Sequence, residues 1–173
     1  NKLLKEQKCY IWNGNSTKEY LESRGLNYQE DDLGPVYGHQ WRFFNAPYEN
    51  CYTNYEGKGV DQLNYIINAL KDPKQHGSRR LVMSAWNPCQ LDEMALPPCH
   101  ILVQFHVTQK NKLSCNMYQR SGDVGLGVPF NIASYSFLLH LIAKHCDLVP
   151  HEFYYHIGNC LLYTSPSPRD LST

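Results

Sequence analysis

The sequence has no excess charge of either sign and no long apolar run. Sixteen basic residues balance sixteen acidic ones over 173 residues, so the formal net charge is zero. A neutral chain is atypical of strongly basic nucleic-acid binders and of polybasic membrane proteins. No apolar run approaches the roughly 20 residues that a membrane-spanning helix requires. These absences disfavour functions that depend on bulk charge, and they give no sign of a membrane-spanning helix.

The cysteines lack the spacing of a metal site or of a disulfide framework. There are seven of them, an odd number, and no Cys-x-x-Cys pair occurs. We therefore expect reduced thiols, no metal, and a cytoplasmic protein, with the nucleus and the mitochondrion as alternative compartments. A composition of 42% hydrophobic and 18% charged residues indicates one globular domain.

The spacing of apolar residues predicts a mixed α+β domain. The predicted helices cover residues 15–25, 60–70 and 130–146, and the predicted strands cover 81–86, 100–107 and 113–118. Ser16 and Gly25 are the expected caps of the first helix, and Asp72-Pro73 ends the second. The strand over 81–86 reads as fully buried. Ile132, Tyr135, Leu138, Leu139 and Ile142 form the expected buried face of the longest helix.

Cys99 is the first candidate for chemistry, because two prolines rigidify its approach to a predicted strand. A thiolate at this position would be a nucleophile. The adjacent His100 is not expected to act as its base, because neighbouring residues on a strand point to opposite faces. A buried structural cysteine is the alternative interpretation.

Three further groups suit the binding of an anionic nucleotide. The run from Tyr118 to Asp123 holds an amide, a guanidinium, a hydroxyl and a carboxylate, and an arginine beside a thiol lowers the pKa of that thiol. Paired Arg79 and Arg80 suit a phosphate. Asn131 near a helix N-terminus suits the O4 and N3–H edge of uracil. Each group has an alternative interpretation. The run from Tyr118 to Asp123 could hold a solvated Arg–Asp pair, and Arg79 and Arg80 could be two exposed charges. Asn131 could be a helix cap.

Together these stretches resemble the thymidylate synthase family, from about Ile11 to Asn159. The matching motifs are Asp32-Leu-Gly-Pro-Val-Tyr-Gly-His-Gln-Trp-Arg42, Gly59-Val-Asp-Gln-Leu63, Arg79-Arg80, Ser84-Ala-Trp-Asn-Pro88, Met94-Ala-Leu-Pro-Pro-Cys-His100, Leu113-Ser-Cys115 and Tyr118-Gln-Arg-Ser-Gly-Asp-Val-Gly-Leu-Gly-Val-Pro-Phe-Asn-Ile-Ala-Ser-Tyr135. The resemblance implies an α+β fold, with a large mixed β-sheet flanked by helices. It also implies a homodimer in which two such sheets pack across the interface.

The resemblance further implies the reductive methylation of dUMP to dTMP, with 5,10-methylenetetrahydrofolate as cosubstrate and no metal. Cys99 would attack uracil C6, and Arg120 and Tyr37 complete the implied catalytic set. The implied substrate contacts are Arg79, Arg80, Gln119, Arg120, Ser121, Asp123 and Asn131. In the homodimer, Arg79 and Arg80 would reach the site of the partner subunit. The implied folate contacts are Trp12, Asp123, Leu126, Gly127 and Phe130.

The sequence departs from the family pattern at both ends. A phosphate-gripping arginine and a proton-relaying glutamate of the family have no counterpart, and Leu161 replaces the histidine of a sugar-binding His-x-Tyr pair. We therefore expect residues 1–159 to be an incomplete domain and 160–173 to be a disordered, non-native tail. The alternatives are an inactive nucleotide-binding or dimerisation module, and a relative that hydroxymethylates dCMP. Asn131 disfavours the latter, because cytosine would prefer a carboxylate acceptor there.

Overall fold

The computed structural model describes residues 1–160, so the predictions for Leu161 and for the tail lie outside the described residues. The α-helices are α1 (Lys2–Glu6), α2 (Lys18–Ser23), α3 (Tyr37–Phe43), α4 (Gln62–Lys71) and α5 (Gly127–His145). The strands are β1 (Val82–Ser84), β2 (His100–Thr108), β3 (Lys112–Gly122) and β4 (Val149–Cys160). Within the described range, no helix combines the length and apolarity needed to cross a membrane.

The chain forms two compact units. We call the first the N-terminal unit, which holds Asn1–Gln62 and Ala85–Pro98. The second, the sheet unit, holds Leu63–Ser84 and the chain from Cys99 onward. The sequence predicted one domain and gave no sign of this division, because Ala85–Pro98 joins its unit through contacts that are distant in the chain.

The N-terminal unit is built from short helices and loops, and buried hydrogen bonds connect them. Gln40, Asn87 and Gln90 are all buried. The Nε2 of Gln40 donates to the Oε1 of Gln90 at 3.0 Å, and the Nδ2 of Asn87 donates to the same oxygen at 2.9 Å. Each buried amide therefore has a partner, which avoids the cost of an unpaired polar group.

The sheet unit contains a four-stranded mixed sheet in the order β1-β2-β3-β4. Strands β1, β2 and β3 pair antiparallel, and β4 pairs parallel to β3 after the crossover through α5. A parallel neighbour requires such a long connection. The mixed sheet with its helices confirms the predicted α+β class.

The two faces of this sheet differ in environment. On the side that we call the covered face, α5 packs against the strands, and the buried residues are Met83, Val103, Phe105, Leu113, Cys115 and Met117. The opposite side, the open face, presents the residues that alternate with them. Val82, Leu102, Tyr118 and Tyr154 lie there and are between 36% and 43% exposed. Among the described residues, the sheet therefore has apolar side chains on both faces, and α5 covers one of them.

The strand predictions are partly confirmed. The hairpin of β2 and β3 is present, and β3 continues to Gly122, beyond the predicted end. The stretch 81–86 is wrong as a fully buried strand, because β1 is a three-residue edge strand with Val82 exposed and Met83 buried. Strand β4 was not predicted. Its pairing partner, β3, lies on the other side of a long helix, so no hairpin pattern marks the pairing.

The predicted helices are present at the expected places in the chain, but their caps, first residues and buried faces differ from the predictions. Thr17, not Ser16, caps α2, because the Thr17 side chain accepts from the Tyr20 backbone N–H while Ser16 is buried against Asp31. Helix α4 begins only at Gln62, since Val60 bridges Phe44 in extended conformation. Helix α5 begins earlier, at Gly127. Its buried residues are Val128, Tyr135, Leu139, Ile142 and Ala143, so Ile132 and Leu138 do not belong to the buried face.

Candidate active site

Strand pairing places Cys99 beside the polar run of β3. Cys99 directly precedes β2, and the backbone N–H of Arg120 donates to its carbonyl oxygen at 2.9 Å. His100 pairs with Gln119, and the register then shifts, so that Ile101 is an extra residue on β2. Such bulges re-aim side chains next to active sites. The candidate nucleophile and the candidate anion-binding arginine are therefore held on neighbouring strands.

Gln119 is the centre of a hydrogen-bond network on the covered face. Its side chain is 2% exposed. Its Oε1 accepts from the hydroxyl of Tyr155 at 2.5 Å. Its Nε2 donates to the carbonyl oxygen of Ser121 at 2.8 Å and to the Oδ1 of Asn131 at 3.0 Å. The structure thus joins the predicted residues Gln119, Ser121 and Asn131 through one amide.

His100 belongs to the same network. Burial lowers the pKa of its imidazole, and a hydrogen bond with the Asn131 side chain opposes part of that effect. The ring lies edge-on to Tyr135, with 5.2 Å between centroids. The imidazole is therefore held uncharged near neutral pH between α5 and the sheet. That it does not act as the base of Cys99 stays a prediction.

Tyr155 is a residue of this site that the sequence analysis missed. Burial, and then the charge of the Cys99 thiolate, raise the pKa of its hydroxyl. A signal was present in the alternation of Phe153, Tyr155 and Ile157, which is typical of one face of a strand.

Asp123 organises the start of α5. Its Oδ1 accepts from the Leu126 N–H at 2.9 Å, and its backbone oxygen accepts from Gly127 and Val128. A carboxylate is favourable there, because it satisfies a helix N–H and complements the helix dipole. Leu126 and Phe130 extend outward from this turn and are 74% and 69% exposed. The predicted folate residues of the sheet unit therefore form one exposed apolar surface beside a carboxylate.

Arg79 and Arg80 lie away from Cys99 within the sheet unit. Both are exposed, and neither forms an ion pair with another described residue. The backbone oxygen of Arg79 accepts from the Gln104 side chain at 3.0 Å. Gln104 is far along β2 from Cys99, and five residues of strand span about 17 Å. The two arginines are thus not brought to the Cys99 region of their own sheet.

Two of the predicted residues belong to the N-terminal unit. Trp12 precedes a short turn of 3-10 helix, and Tyr37 begins α3. Their ring centroids are 6.4 Å apart, with the ring planes tilted by 59°. Both side chains are half-buried. The unit thus presents them as an adjacent aromatic pair.

The described residues contain no group of three or more His, Cys, Asp or Glu side chains that could hold a metal ion. The arrangement joins the backbones of a cysteine and an arginine and sets them next to a buried amide network. A thiolate attacks electron-poor carbon, and a guanidinium binds phosphate and stabilises the thiolate.

Comparison with known proteins supports one family. The family described as thymidylate synthase matches residues 1–168. A bifunctional dihydrofolate reductase-thymidylate synthase of Zea mays is 53% identical over 164 residues, which cover 94% of this chain and 31% of that protein. The corresponding bifunctional protein of Paramecium tetraurelia is 53% identical, with 95% and 35% covered. Thymidylate synthase 1/2 of Encephalitozoon cuniculi (strain GB-M1) is 53% identical, with 94% and 54% covered. The chain therefore spans between 31% and 54% of the length of these relatives.

Proposed function

Because this chain belongs to the thymidylate synthase family, we propose that the protein methylates dUMP reductively to dTMP with 5,10-methylenetetrahydrofolate. The names of its relatives support this reaction. The structural observation that carries it is the backbone hydrogen bond between Arg120 and Cys99. That bond joins the backbone of the nucleophile to that of a cationic residue, one strand position from the buried Gln119 network.

The first chemical step belongs to Cys99. Its thiolate adds to C6 of the uracil ring, so that an S–C6 bond forms and the electron pair of the C5–C6 double bond moves toward C5 and O4. C5 thereby becomes a nucleophile, which it is not in free dUMP. The folate supplies the one-carbon unit and the hydride when it is bound. The C5 proton is lost to a base or to solvent, its electron pair restores the double bond, and the Cys99 sulfur leaves as thiolate, which releases the product.

Arg120 and Ser121 serve the nucleotide phosphate in this proposal. A guanidinium binds a phosphate through paired hydrogen bonds, and it also favours the ionised form of a nearby thiol. One residue can therefore link substrate binding to activation of the nucleophile. Arg79 and Arg80 would serve the phosphate in the partner's site, which fits their distance from Cys99 along β2.

Asn131 would read the pyrimidine edge, because a carboxamide can donate to O4 and accept from N3–H. Its Oδ1 is held by Gln119, so the amide is pre-oriented before any ligand binds. Asp123, Leu126, Gly127 and Phe130 would form the folate side of the site, together with Trp12. Tyr37 would belong to the catalytic hydrogen-bond network.

The open face of the sheet is the proposed homodimer interface. Val82, Leu102, Tyr118 and Tyr154 project from four neighbouring strands and form an apolar surface. Two such sheets can pack face to face at about 10 Å, which removes these side chains from water. Burial of this area in the dimer explains why apolar residues alternate on both faces of the sheet.

The reaction is tested by turnover of the protein expressed from its complete gene. Formation of dihydrofolate and dTMP from dUMP would be measured for the unmodified protein, for Cys99→Ser, and for Cys89→Ser as the control. We expect Cys99→Ser to lose activity by about three orders of magnitude or more, since nucleophile loss typically costs this much. The exposed Cys89 should tolerate the change. Comparable activity in Cys99→Ser, or a preference for dCMP over dUMP, would contradict the proposal.

A further inference from the structure

Tyr155 is the residue of the candidate site to which the proposed reaction gives no role. It lies on β4, opposite Met117 of β3, and its half-buried ring stacks on Phe153 with 5.8 Å between centroids. Its hydroxyl donates to the Oε1 of Gln119 at 2.5 Å. The hydroxyl therefore contacts the one side chain that joins Ser121 and Asn131.

The neighbours of the Gln119 side chain show which end of its amide is the oxygen and which is the nitrogen. The carbonyl oxygen of Ser121 can only accept, so the Gln119 atom 2.8 Å from it must be Nε2. The other end of the amide is then Oε1, and Tyr155 must be its donor. Gln119 is buried, so an unpaired Oε1 would be costly. The Ser121 carbonyl thus sets the orientation of this amide, and the Tyr155 hydroxyl stabilises that orientation by donating to Oε1.

The same logic extends to Asn131. The second proton of Gln119 Nε2 points to Asn131 at 3.0 Å, and that proton needs an acceptor. The facing atom is therefore Oδ1, and Nδ2, which can only donate, lies at the other end of the carboxamide. His100 also hydrogen-bonds this side chain. Asn131 consequently presents a donor in a defined direction.

We propose that Tyr155 is a positioning residue that stabilises the observed orientation of Gln119, and through it that of the Asn131 amide, and so favours uracil over cytosine. This inference rests on the proposed function. The O4 of uracil accepts from Nδ2, whereas the N4 amino group of cytosine would place a donor against a donor. If Asn131 reverses, cytosine is matched and uracil is not. Tyr155 thereby acts on base selectivity without touching the base.

The experiment is a double-mutant cycle on base selectivity in the protein expressed from its complete gene. The variants are Tyr155→Phe, Gln119→Met and the double variant, with Tyr65→Phe as a control that removes the same atom from an exposed ring of the sheet unit. Dissociation constants for dUMP and dCMP give the selectivity, and thermal unfolding monitors the fold. Tyr155→Phe keeps the stack on Phe153, so it isolates the hydroxyl.

We expect Tyr155→Phe to reduce the dUMP-to-dCMP selectivity by about tenfold, as loss of one buried hydrogen bond predicts. Gln119→Met should reduce it at least as much, because Asn131 then loses its fixed partner. In the Gln119→Met background the further change at Tyr155 should have no effect, since the two residues act as one unit. Unchanged selectivity in Tyr155→Phe, or additive losses in the double variant, would overturn the proposal.

A second measurement does not depend on turnover or on the folding of Gln119→Met. The side-chain amide protons of Gln119 and Asn131 can be followed by NMR in unmodified protein and in Tyr155→Phe. We expect exchange of the Gln119 amide protons with water to accelerate about tenfold or more when the hydroxyl is removed. Equal exchange rates would overturn the relay even if dUMP is the substrate. Absence of dUMP turnover with accelerated exchange would instead refute the proposed function and retain the relay.

Discussion

The two faces of the sheet differ in which side chains are unusual for their environment: one face buries polar side chains, and the other exposes apolar ones. The covered face is buried, yet at the Cys99 end it holds the polar side chains Gln119, Asn131 and Tyr155, which bond to one another. The open face is exposed, yet it presents apolar side chains such as Leu102 and Tyr118. Buried polar groups and exposed apolar groups are the departures that carry information about function. We propose that the first belongs to a site and the second to an interface.

The largest difference between the faces should appear in the folding of one subunit. Phe105 lies on the covered face and is 0% exposed. Replacing it by alanine should lower the free energy of unfolding by about 3–5 kcal/mol, because a cavity remains in a packed interior. Leu102→Ala, three residues away on the open face, should cost below about 1 kcal/mol in a monomeric state. Denaturant unfolding measures both, and equal losses would contradict the assignment of the two faces.

The next difference concerns association. Leu102→Glu should weaken the proposed dimer by at least about tenfold, because two like charges would be buried at one interface. Sedimentation velocity over a range of concentrations measures this effect. Leu141→Glu is the control, since Leu141 is the same residue type and is also exposed, at 54% against 36% for Leu102, but lies on α5. An unchanged dimer in Leu102→Glu would place the interface elsewhere.

A smaller effect should follow from pH. Burial lowers the pKa of His100 below 6.5 in the folded chain. The unfolded chain therefore binds a proton at this residue more readily than the folded chain does. The free energy of unfolding should therefore fall as pH drops from 6.5 toward the folded pKa. Burial also lowers the pKa of His39 in the N-terminal unit, so His39 contributes to the same loss of stability at low pH. Denaturant unfolding between pH 7.5 and 5 should show a shallower decline for His100→Gln than for the unmodified protein, and an equal decline would assign the effect to other groups.

The smallest expected effect is a change in the pKa of the Tyr155 hydroxyl when Cys99 is replaced. The thiolate charge contributes to the raised pKa of Tyr155, so Cys99→Ser should lower that pKa while burial keeps it above 10. NMR titration of labelled tyrosine rings, with Tyr155→Phe to assign the signal, measures the shift. The pKa of the exposed Tyr65 serves as the control. No shift at Tyr155 would mean that the two side chains are electrostatically independent.

The sequence predicted local features well and long-range ones poorly. The β2–β3 hairpin and α5 follow from spacing within a short stretch, so apolar periodicity was sufficient to place them. Arg79, Arg80, Gln119 and Asn131 were named by motif, without the contacts that orient them. Strand β4 was missed because it pairs with β3 only after the 19 residues of α5. Tyr155 was missed with it, and the network on Gln119 was therefore not predicted.

The division into two units was also beyond the sequence pattern. Residues 85–98 leave the sheet after β1, join the N-terminal unit, and return at Cys99. Nothing in the local residue spacing marks this excursion, because it is stabilised by buried amides such as Asn87 and Gln90 whose partners lie more than forty residues away. Long-range polar contacts of this kind leave no periodic signal.

The central claim is that Cys99 is the nucleophile toward uracil C6, and covalent trapping tests it most directly. The protein expressed from its complete gene would be incubated with 5-fluoro-dUMP and 5,10-methylenetetrahydrofolate, and the adduct would be mapped by peptide mass spectrometry. Fluorine at C5 cannot leave as a proton does, so the adduct should persist. We predict one adduct on the peptide that contains Cys99, and none in Cys99→Ser. Full trapping in Cys99→Ser, or an adduct on another cysteine, would contradict the account.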